Sequence, residues 1–192
     1  MQWRNSDRAW GAIHKTLHWL IALLILSLLP FGFYMANVIP DENWQLKLTV
    51  YQYHKFFGLV VLALVMVRIV WRFTAGPRPA HPAGAPAWER RAAGAAHLAL
   101  YLVMAAMPVT GYLMASASQF PVLTWFDLPD PLGTNKDLEG LFSTLHEVLG
   151  FAIAGLVAVH VAAALKHHMV DKHDVLRRML PGATVSPPDQ RG

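Results

Sequence analysis

The sequence predicts an all-α integral membrane protein, built as a bundle of four transmembrane helices. Hydrophobic residues make up 55% of its 192 residues and charged residues only 15%, against about 25% charged in an ordinary soluble domain. Four stretches are also apolar for long enough to cross a bilayer core of about 30 Å, which takes roughly 20 helical residues. Four such spans leave no room for a large soluble domain. We therefore expect residues 1–192 to form a single membrane domain.

The four predicted spans cover roughly residues 14–36, 51–73, 92–117 and 143–167. Pro30 and Pro108 fall inside spans, where membrane helices tolerate proline better than soluble helices do. The first span is unlike a secretory signal peptide, because its uncharged run exceeds the usual apolar core of about 7–15 residues. The chain contains no cysteine, which excludes disulfides and thiolate metal ligands.

The distribution of Lys and Arg predicts the orientation of the spans. Short cytoplasmic segments are enriched in these residues, and 13 of the 16 lie in the N-terminal segment, the middle connection with its flanks, and the C-terminal segment. Both termini are therefore expected to be cytoplasmic, with a basic tail over 168–192. This placement of Lys and Arg in cytoplasmic segments accounts for the net charge of +4. The expected partner is therefore membrane lipid and not nucleic acid. The three cations on the other side are Lys47, Lys55 and Lys136.

Five histidines fall within the spans, where ionisable side chains are costly and usually functional. His146 and His160 are 14 residues apart, almost four turns, which places them on one face of the fourth helix about 21 Å apart. His54 and His146 lie near the outer ends of helices that run in the same direction, so they can face each other. His160 lies at the inner level. Either His18 or His97 could be its partner there.

Opposed histidines at two depths indicate two haem groups bound non-covalently within a helix bundle. Two axial histidines fill both free positions of a haem iron, which favours electron transfer over oxygen chemistry. Gly58 and Gly150 follow His54 and His146 by four residues; their small size either leaves space for the macrocycle or serves helix–helix contact. Arg68, 14 residues after His54, is expected either to pair with an inner haem propionate or to snorkel to the interface. The remaining histidines are interpreted as interfacial: His14, His81, His167, His168 and His173.

At these residues the chain resembles the bacterial cytochrome b561 family. The resemblance implies a four-helix bundle with two non-covalent haem b groups. It also implies that His18 and His160 bind the inner iron, and that His54 and His146 bind the outer iron. His97 would then bind no iron, and would contact the inner haem or a quinone. The matching segments run in order from about residue 8 to 181: His18-Trp19-Leu20, His54-x3-Gly58, Val67-Arg68, His97 with Tyr101, Pro108 and Gly111, His146-Glu147 with Gly150, His160, Ala162 to His168, and Leu176-x-Arg178-Met179-x-Pro181.

The resemblance further implies electron transfer in the bacterial inner (plasma) membrane, between a periplasmic donor, superoxide in the best-described members, and ubiquinone. The protein would then be an oxidoreductase or an electron-transfer protein. The outer loops are more acidic than basic, which does not favour steering an anion, but Lys47 and Lys55 could form a local basic mouth. The alternative is a cytochrome b subunit that anchors a membrane dehydrogenase or hydrogenase, and so needs a redox partner protein. A transporter is disfavoured, because neither broken helices nor repeats are evident. The donor, the haem potentials and the oligomeric state stay open.

Overall fold

The computed structural model describes residues 2–7, 9–80 and 86–182. Within these ranges the chain forms four long α-helices and no β-strand. The helices are α1 (Ala12–Asn37), α2 (Trp44–Thr74), α3 (Ala87–Ala117) and α4 (Lys136–Met169). All four are long and apolar enough to cross a membrane, so the predicted all-helical, four-span architecture is confirmed. Arg8, His81 and the end of the predicted basic tail, 183–192, lie outside the described residues.

Each helix begins before its predicted span. The largest differences are at α2 and α4, whose helices start at 44 and 136 instead of 51 and 143. Hydropathy marks the length of a helix inside hydrocarbon, whereas these first turns carry charged residues, Lys47 in α2 and Lys136, Asp137 and Glu139 in α4. At α4 the Asn135 side chain accepts hydrogen bonds from the backbone N–H groups of Asp137 and Leu138, both at 3.1 Å. This N-cap starts the helix, and the acidic residues of the first turn favour the helix dipole.

The four helices pack unevenly. Among the described residues, α3 packs closely along α4, α1 packs on α2, and α2 packs on α3, whereas α1 and α2 approach α4 only sparsely. In the same part of the chain Ile153 is the only buried residue of α4. The backbone of α4 is therefore held away from α1 and α2, and histidine side chains lie in the space between them.

An aliphatic layer fills the middle of the bundle. Its members are between 0 and 8% exposed, and Ile153 lies seven residues, about two turns, from both His146 and His160. The layer therefore separates the outer histidines from the inner ones. It consists of Ile21 and Ile25 of α1, Val61 and Val65 of α2, and Ile153 of α4.

Exposed tryptophans mark both ends of the bundle, which we call inner and outer after the predicted orientation. Trp3 and Trp88 lie at the inner end and are 64% and 67% exposed, and Trp44 and Trp125 lie at the outer end at 62% and 47%. Tryptophan is enriched where membrane helices meet the lipid–water interface. The position of these side chains agrees with a bundle that crosses a bilayer.

The segment 176–181 folds back against α1 at the inner end, and we call it the C-terminal clasp. The Trp19 indole Nε1 donates to the carbonyl of Met179 at 2.7 Å, and Lys15 Nζ donates to the carbonyl of Leu180 at 3.0 Å. Arg178 also donates to the carbonyl of Ala80 at 2.8 Å. These bonds tie the segment 176–181 to α1 and to the connection between α2 and α3.

Candidate functional site

His54 of α2 and His146 of α4 face each other near the outer end. Their ring centroids are 6.2 Å apart and the ring planes make an angle of 79°. Two metal–imidazole bonds of about 2 Å, each extended by a little over 1 Å from ring nitrogen to centroid, would place two rings that bind the same iron about 6.3 Å apart. The observed separation therefore fits one iron shared by both rings.

A hydrogen bond orients His146 for metal binding. Its Nδ1 lies 3.0 Å from the carbonyl oxygen of Met107 and 3.3 Å from Thr110 Oγ1. Because a carbonyl only accepts, Nδ1 carries the proton and Nε2 keeps its lone pair. Metal-binding histidines are commonly fixed in this way through their second ring nitrogen. His146 therefore offers Nε2 as a ligand.

Glycines of neighbouring helices leave the space that the outer rings occupy. A Cβ at Gly32 would lie 3.1 Å from Cε1 of His54, and one at Gly111 would lie 2.9 Å from Cε1 of His146. No role was predicted for Gly32, and Gly111 entered only through the family match. The sequence signal was the 14-residue spacing, because Gly32 follows His18, and Gly111 follows His97, by that number.

A small, partly open cleft adjoins the outer histidines, and Gly58 is part of its lining. A Cβ at Gly58 would meet no atom within 4 Å, so the position borders open space. At Gly150 a Cβ would instead make ordinary contact with Cε of Met107 at 3.5 Å. The two glycines thus differ in surroundings, since Gly58 borders the cleft and Gly150 faces α3. His54 adds a buried Nδ1 that has no hydrogen-bond partner in the described chain.

At the inner level the structure brings His160 together with both candidate partners. The ring centroids of His18 and His160 are 6.1 Å apart, close to the spacing of the outer pair. Those of His97 and His160 are 5.5 Å apart, shorter than a shared iron requires. His18 is half-buried and His97 is exposed. Spacing and burial both single out the pair His18–His160 as the one that fits an iron.

Arg68 lies at the inner level, close enough to act electrostatically on His18 and His160. Its Nε donates to the hydroxyl of Tyr101 at 3.1 Å. The guanidinium carbons of Arg68 and Arg72 lie 5.9 and 5.2 Å from the centroid of the Tyr101 ring. Sequence reasoning assigned no role to Arg72, and Tyr101 entered only through the family match. Together with Arg68 they place a cationic group beside the inner histidines.

His14, interpreted as interfacial, lies in the first turn of α1 and is covered by other parts of the protein. His14 is only 3% exposed, and its ring stacks on that of Trp10 with centroids 4.1 Å apart. The N-terminal segment covers this turn of α1, because Asn5 N–H donates to the carbonyl of Ala75 and Ala12 N–H to that of Gln2. The hydropathy of the sequence could not predict the burial of His14, because this burial depends on where the polar N-terminal segment folds.

Comparison with known proteins finds relatives along almost the whole chain. The family model described as prokaryotic cytochrome b561 matches residues 9–182. Cytochrome b561 homolog 2 of Escherichia coli K12 is 34% identical over 185 residues, covering 94% of this chain and 95% of that protein. Cytochrome b561 homolog 1 of the same organism is 28% identical, covering 86% of this chain and 93% of that protein. A protein of Yersinia pestis named probable superoxide oxidase CybB is 28% identical, covering 91% of this chain and 97% of that protein.

The family match spans nearly the whole chain, from the first turn before α1 to the C-terminal clasp. It includes all four helices and every histidine of the two facing pairs. The relatives are matched over most of their own length as well. The resemblance seen in the sequence is thereby confirmed, and the chain belongs to the prokaryotic cytochrome b561 family, membrane electron-transfer proteins that bind b-type haem.

Proposed function

We propose that this protein is a di-haem b cytochrome that carries electrons from a donor at the outer end to ubiquinone at the inner end. One observation carries the proposal. Two pairs of opposed histidine rings, His18–His160 and His54–His146, have matching separations of 6.1 and 6.2 Å and lie on either side of the aliphatic layer. Bound haem b supplies reversible one-electron chemistry. His18 and His160 would hold one group and His54 and His146 the other.

The residues around each pair support distinct roles. Met107 fixes the tautomer of His146, and Gly58 borders the cleft in which the outer haem would lie. His97 is exposed beside His160, a position suited to contact with the inner haem or with a quinone from the membrane. Arg68, held by Tyr101, supplies positive charge at the inner level and a partner for a propionate.

The surroundings of the outer pair support a small anionic donor. Lys55 follows His54, lines the same cleft, and donates from Nζ to the carbonyl of Pro121 at 3.4 Å. Lys47 instead pairs with Asp41 at 2.6 Å, so its charge is balanced. Of the two lysines expected to form a basic mouth, only Lys55 is therefore proposed to attract an anion. Superoxide fits this cleft, and the name of the Yersinia pestis relative refers to that activity.

The proposed direction of electron flow depends on orientation in a bacterial inner (plasma) membrane with both termini cytoplasmic. The asymmetry of Lys and Arg supports this orientation. The outer pair then lies near the periplasm, where a diffusible donor arrives. The inner pair lies near the cytoplasmic face of the membrane, in reach of ubiquinone dissolved in the lipid.

The first test is the haem content of the purified protein. A pyridine haemochrome assay against protein mass should give two haem b per chain, with six-coordinate low-spin spectra for both. A ratio of one or none would exclude the proposal.

The second test separates the proposed activity from the anchor-subunit alternative. Purified protein in vesicles that contain ubiquinone should reduce the quinone when superoxide is generated outside, with no other protein present. If quinone reduction appears only with a copurified dehydrogenase or hydrogenase, the chain is the anchor subunit of that enzyme.

A further inference from the structure

Two histidines and one aspartate gather where α4 ends, apart from the two facing pairs. Ligating atoms of His167, Asp171 and His173 all lie within 4.8 Å of one another. His167 Nδ1 lies 2.7 Å from Asp171 Oδ2, and the rings of His167 and His173 stack with centroids 5.9 Å apart. All three side chains are partly buried. None of them has a role in the proposed electron path.

The backbone of this segment forms a turn that brings the three side chains together. Asp171 N–H donates to the carbonyl of Lys166 at 3.1 Å, and His173 N–H donates to that of His167 at 2.8 Å. Lys172, between them, has φ 54°, a left-handed conformation that residues with a side chain seldom adopt. The turn returns His173 over His167. Because the three residues lie within seven positions, little loop-closure entropy opposes a shared ligand.

The polar atoms of the cluster are arranged so that they can bind a cation. His173 Nδ1 is buried and has no hydrogen-bond partner in the described part of the chain, a state that native proteins rarely leave without a ligand or water. Lys166 Nζ lies 2.9 Å from Asp171 Oδ2, and this ion pair holds the carboxylate beside the two rings.

We propose that His167, Asp171 and His173 bind a transition-metal dication, with Zn²⁺ as its simplest representative. Two imidazoles and a carboxylate are a donor set that such ions take, with water in the remaining position. Metal binding at Nδ1 of His167 replaces its hydrogen bond to Asp171, and the proton of the neutral ring is then carried on Nε2. Lys166 also pairs with Glu89 at 2.9 Å, so it keeps a partner when Asp171 turns to the metal.

The site is separate from the inner histidine pair. His167 lies seven residues after His160, about 10 Å along the helix axis. The proposal therefore stands independently of the number of haems and of the electron donor.

The experiment is a Zn²⁺ titration of the full-length, haem-loaded protein without an affinity tag, after treatment with a chelator. Isothermal titration should show one saturable Zn²⁺ per chain. Asp171→Asn and His173→Ala should each weaken binding at least tenfold, the usual scale for loss of a metal-site partner. His168→Ala is the matched control, because His168 is an exposed histidine of the same helix end, and it should bind Zn²⁺ as the unmodified protein does.

Lys166→Met should tighten binding, because it removes a cation that competes for Asp171. Haem content and thermal unfolding of each variant show that the bundle is intact, and Asp171→Asn decides alone if His173→Ala disturbs it. Absence of saturable binding, unchanged binding by Asp171→Asn, or equal loss in His168→Ala would overturn the proposal.

Discussion

Gly111 of α3 lies directly against the ring of His146, where a Cβ would come within 2.9 Å of Cε1. In the proposed function this ring binds iron on one side and hydrogen-bonds to Met107 on the other, so it has little freedom to move away. Gly111→Ala should therefore strain the outer site by about 1–3 kcal/mol, as overpacking in a core does. The expected result is outer haem binding about tenfold weaker or more, measured by haem retention and the spectrum of the outer haem.

Gly155→Ala is the control for that substitution. Gly155 also lies inside a membrane-spanning helix, but a Cβ there would meet no atom within 4 Å. It should leave both haems bound. Equal haem loss in the two variants would mean that glycine itself, and not the contact with His146, is required.

Replacing each inner histidine in turn tests the spacing argument. His18→Ala should remove the inner haem and leave most of the outer one, because the His18–His160 separation fits a shared iron. His97→Ala should keep two haems, because its ring lies too close to His160 for an iron between them. Redox titration of both variants measures this. Loss of the inner haem in His97→Ala alone would reassign the ligand.

Arg68 is predicted to tune the inner haem without holding it. A cation at this level favours the reduced state in a region of low dielectric constant, so Arg68→Gln should lower the inner midpoint potential by some tens of millivolts, where about 60 mV is tenfold for one electron. The outer potential should change much less. Tyr101→Phe, which removes only the hydrogen bond to Arg68, should give a smaller shift. Equal shifts in both haems would point to a general structural change.

Lys55 is predicted to attract the anionic donor. Lys55→Gln should reduce kcat/KM for superoxide-dependent quinone reduction about tenfold and flatten its dependence on ionic strength. Lys47→Gln is the matched control, since Lys47 is paired with Asp41, and it should change the rate little. This prediction depends on the proposed function. A rate that falls equally in both variants would indicate a diffuse charge effect.

Trp19 is predicted to hold the C-terminal clasp closed. Trp19→Phe removes the bond to the Met179 carbonyl, worth about 1 kcal/mol, so trypsin should cleave after Arg177 and Arg178 about fivefold faster if opening precedes cleavage. Trp88→Phe, at another exposed inner-end tryptophan, should not change the rate. Mass spectrometry of the released fragment also tests orientation, because cleavage should occur in inside-out vesicles and not in right-side-out ones.

Much of the fold was predictable because hydrophobic length and histidine spacing are properties of single helices. The four spans follow from apolar length, and the shared face of His146 and His160 follows from helical periodicity. The starts of α2 and α4 were missed because their first turns carry charged residues, which interrupt the apolar run. The contact of Gly111 with His146 depends on how two helices pack, which no single-helix pattern contains.

The arrangement of the inner histidines and of the residues after α4 could not be predicted for the same reason, because it also depends on how separate segments pack. Spacing along the sequence left His18 and His97 equivalent, and the ring separations from His160 and the burial of each ring distinguish them. The burial of His14 depends on the fold of the polar N-terminal segment. The gathering of His167 with His173 depends on the left-handed backbone of Lys172, which the sequence Asp-Lys-His does not reveal.

The aliphatic layer between the two histidine levels has a consequence for membrane energetics. Proton relays need chains of ionisable side chains or water, and this layer is built from Ile21, Ile25, Val61, Val65 and Ile153. An electron that passes it is not accompanied by a proton, so its transfer is electrogenic. About 21 Å of a core of about 30 Å separates the two levels. With the proposed orientation, inward transfer works against the membrane potential by roughly 1.6 kcal/mol for each 100 mV. The quinone pool must therefore be oxidising enough to draw electrons inward. A large membrane potential would slow the transfer of electrons through the protein.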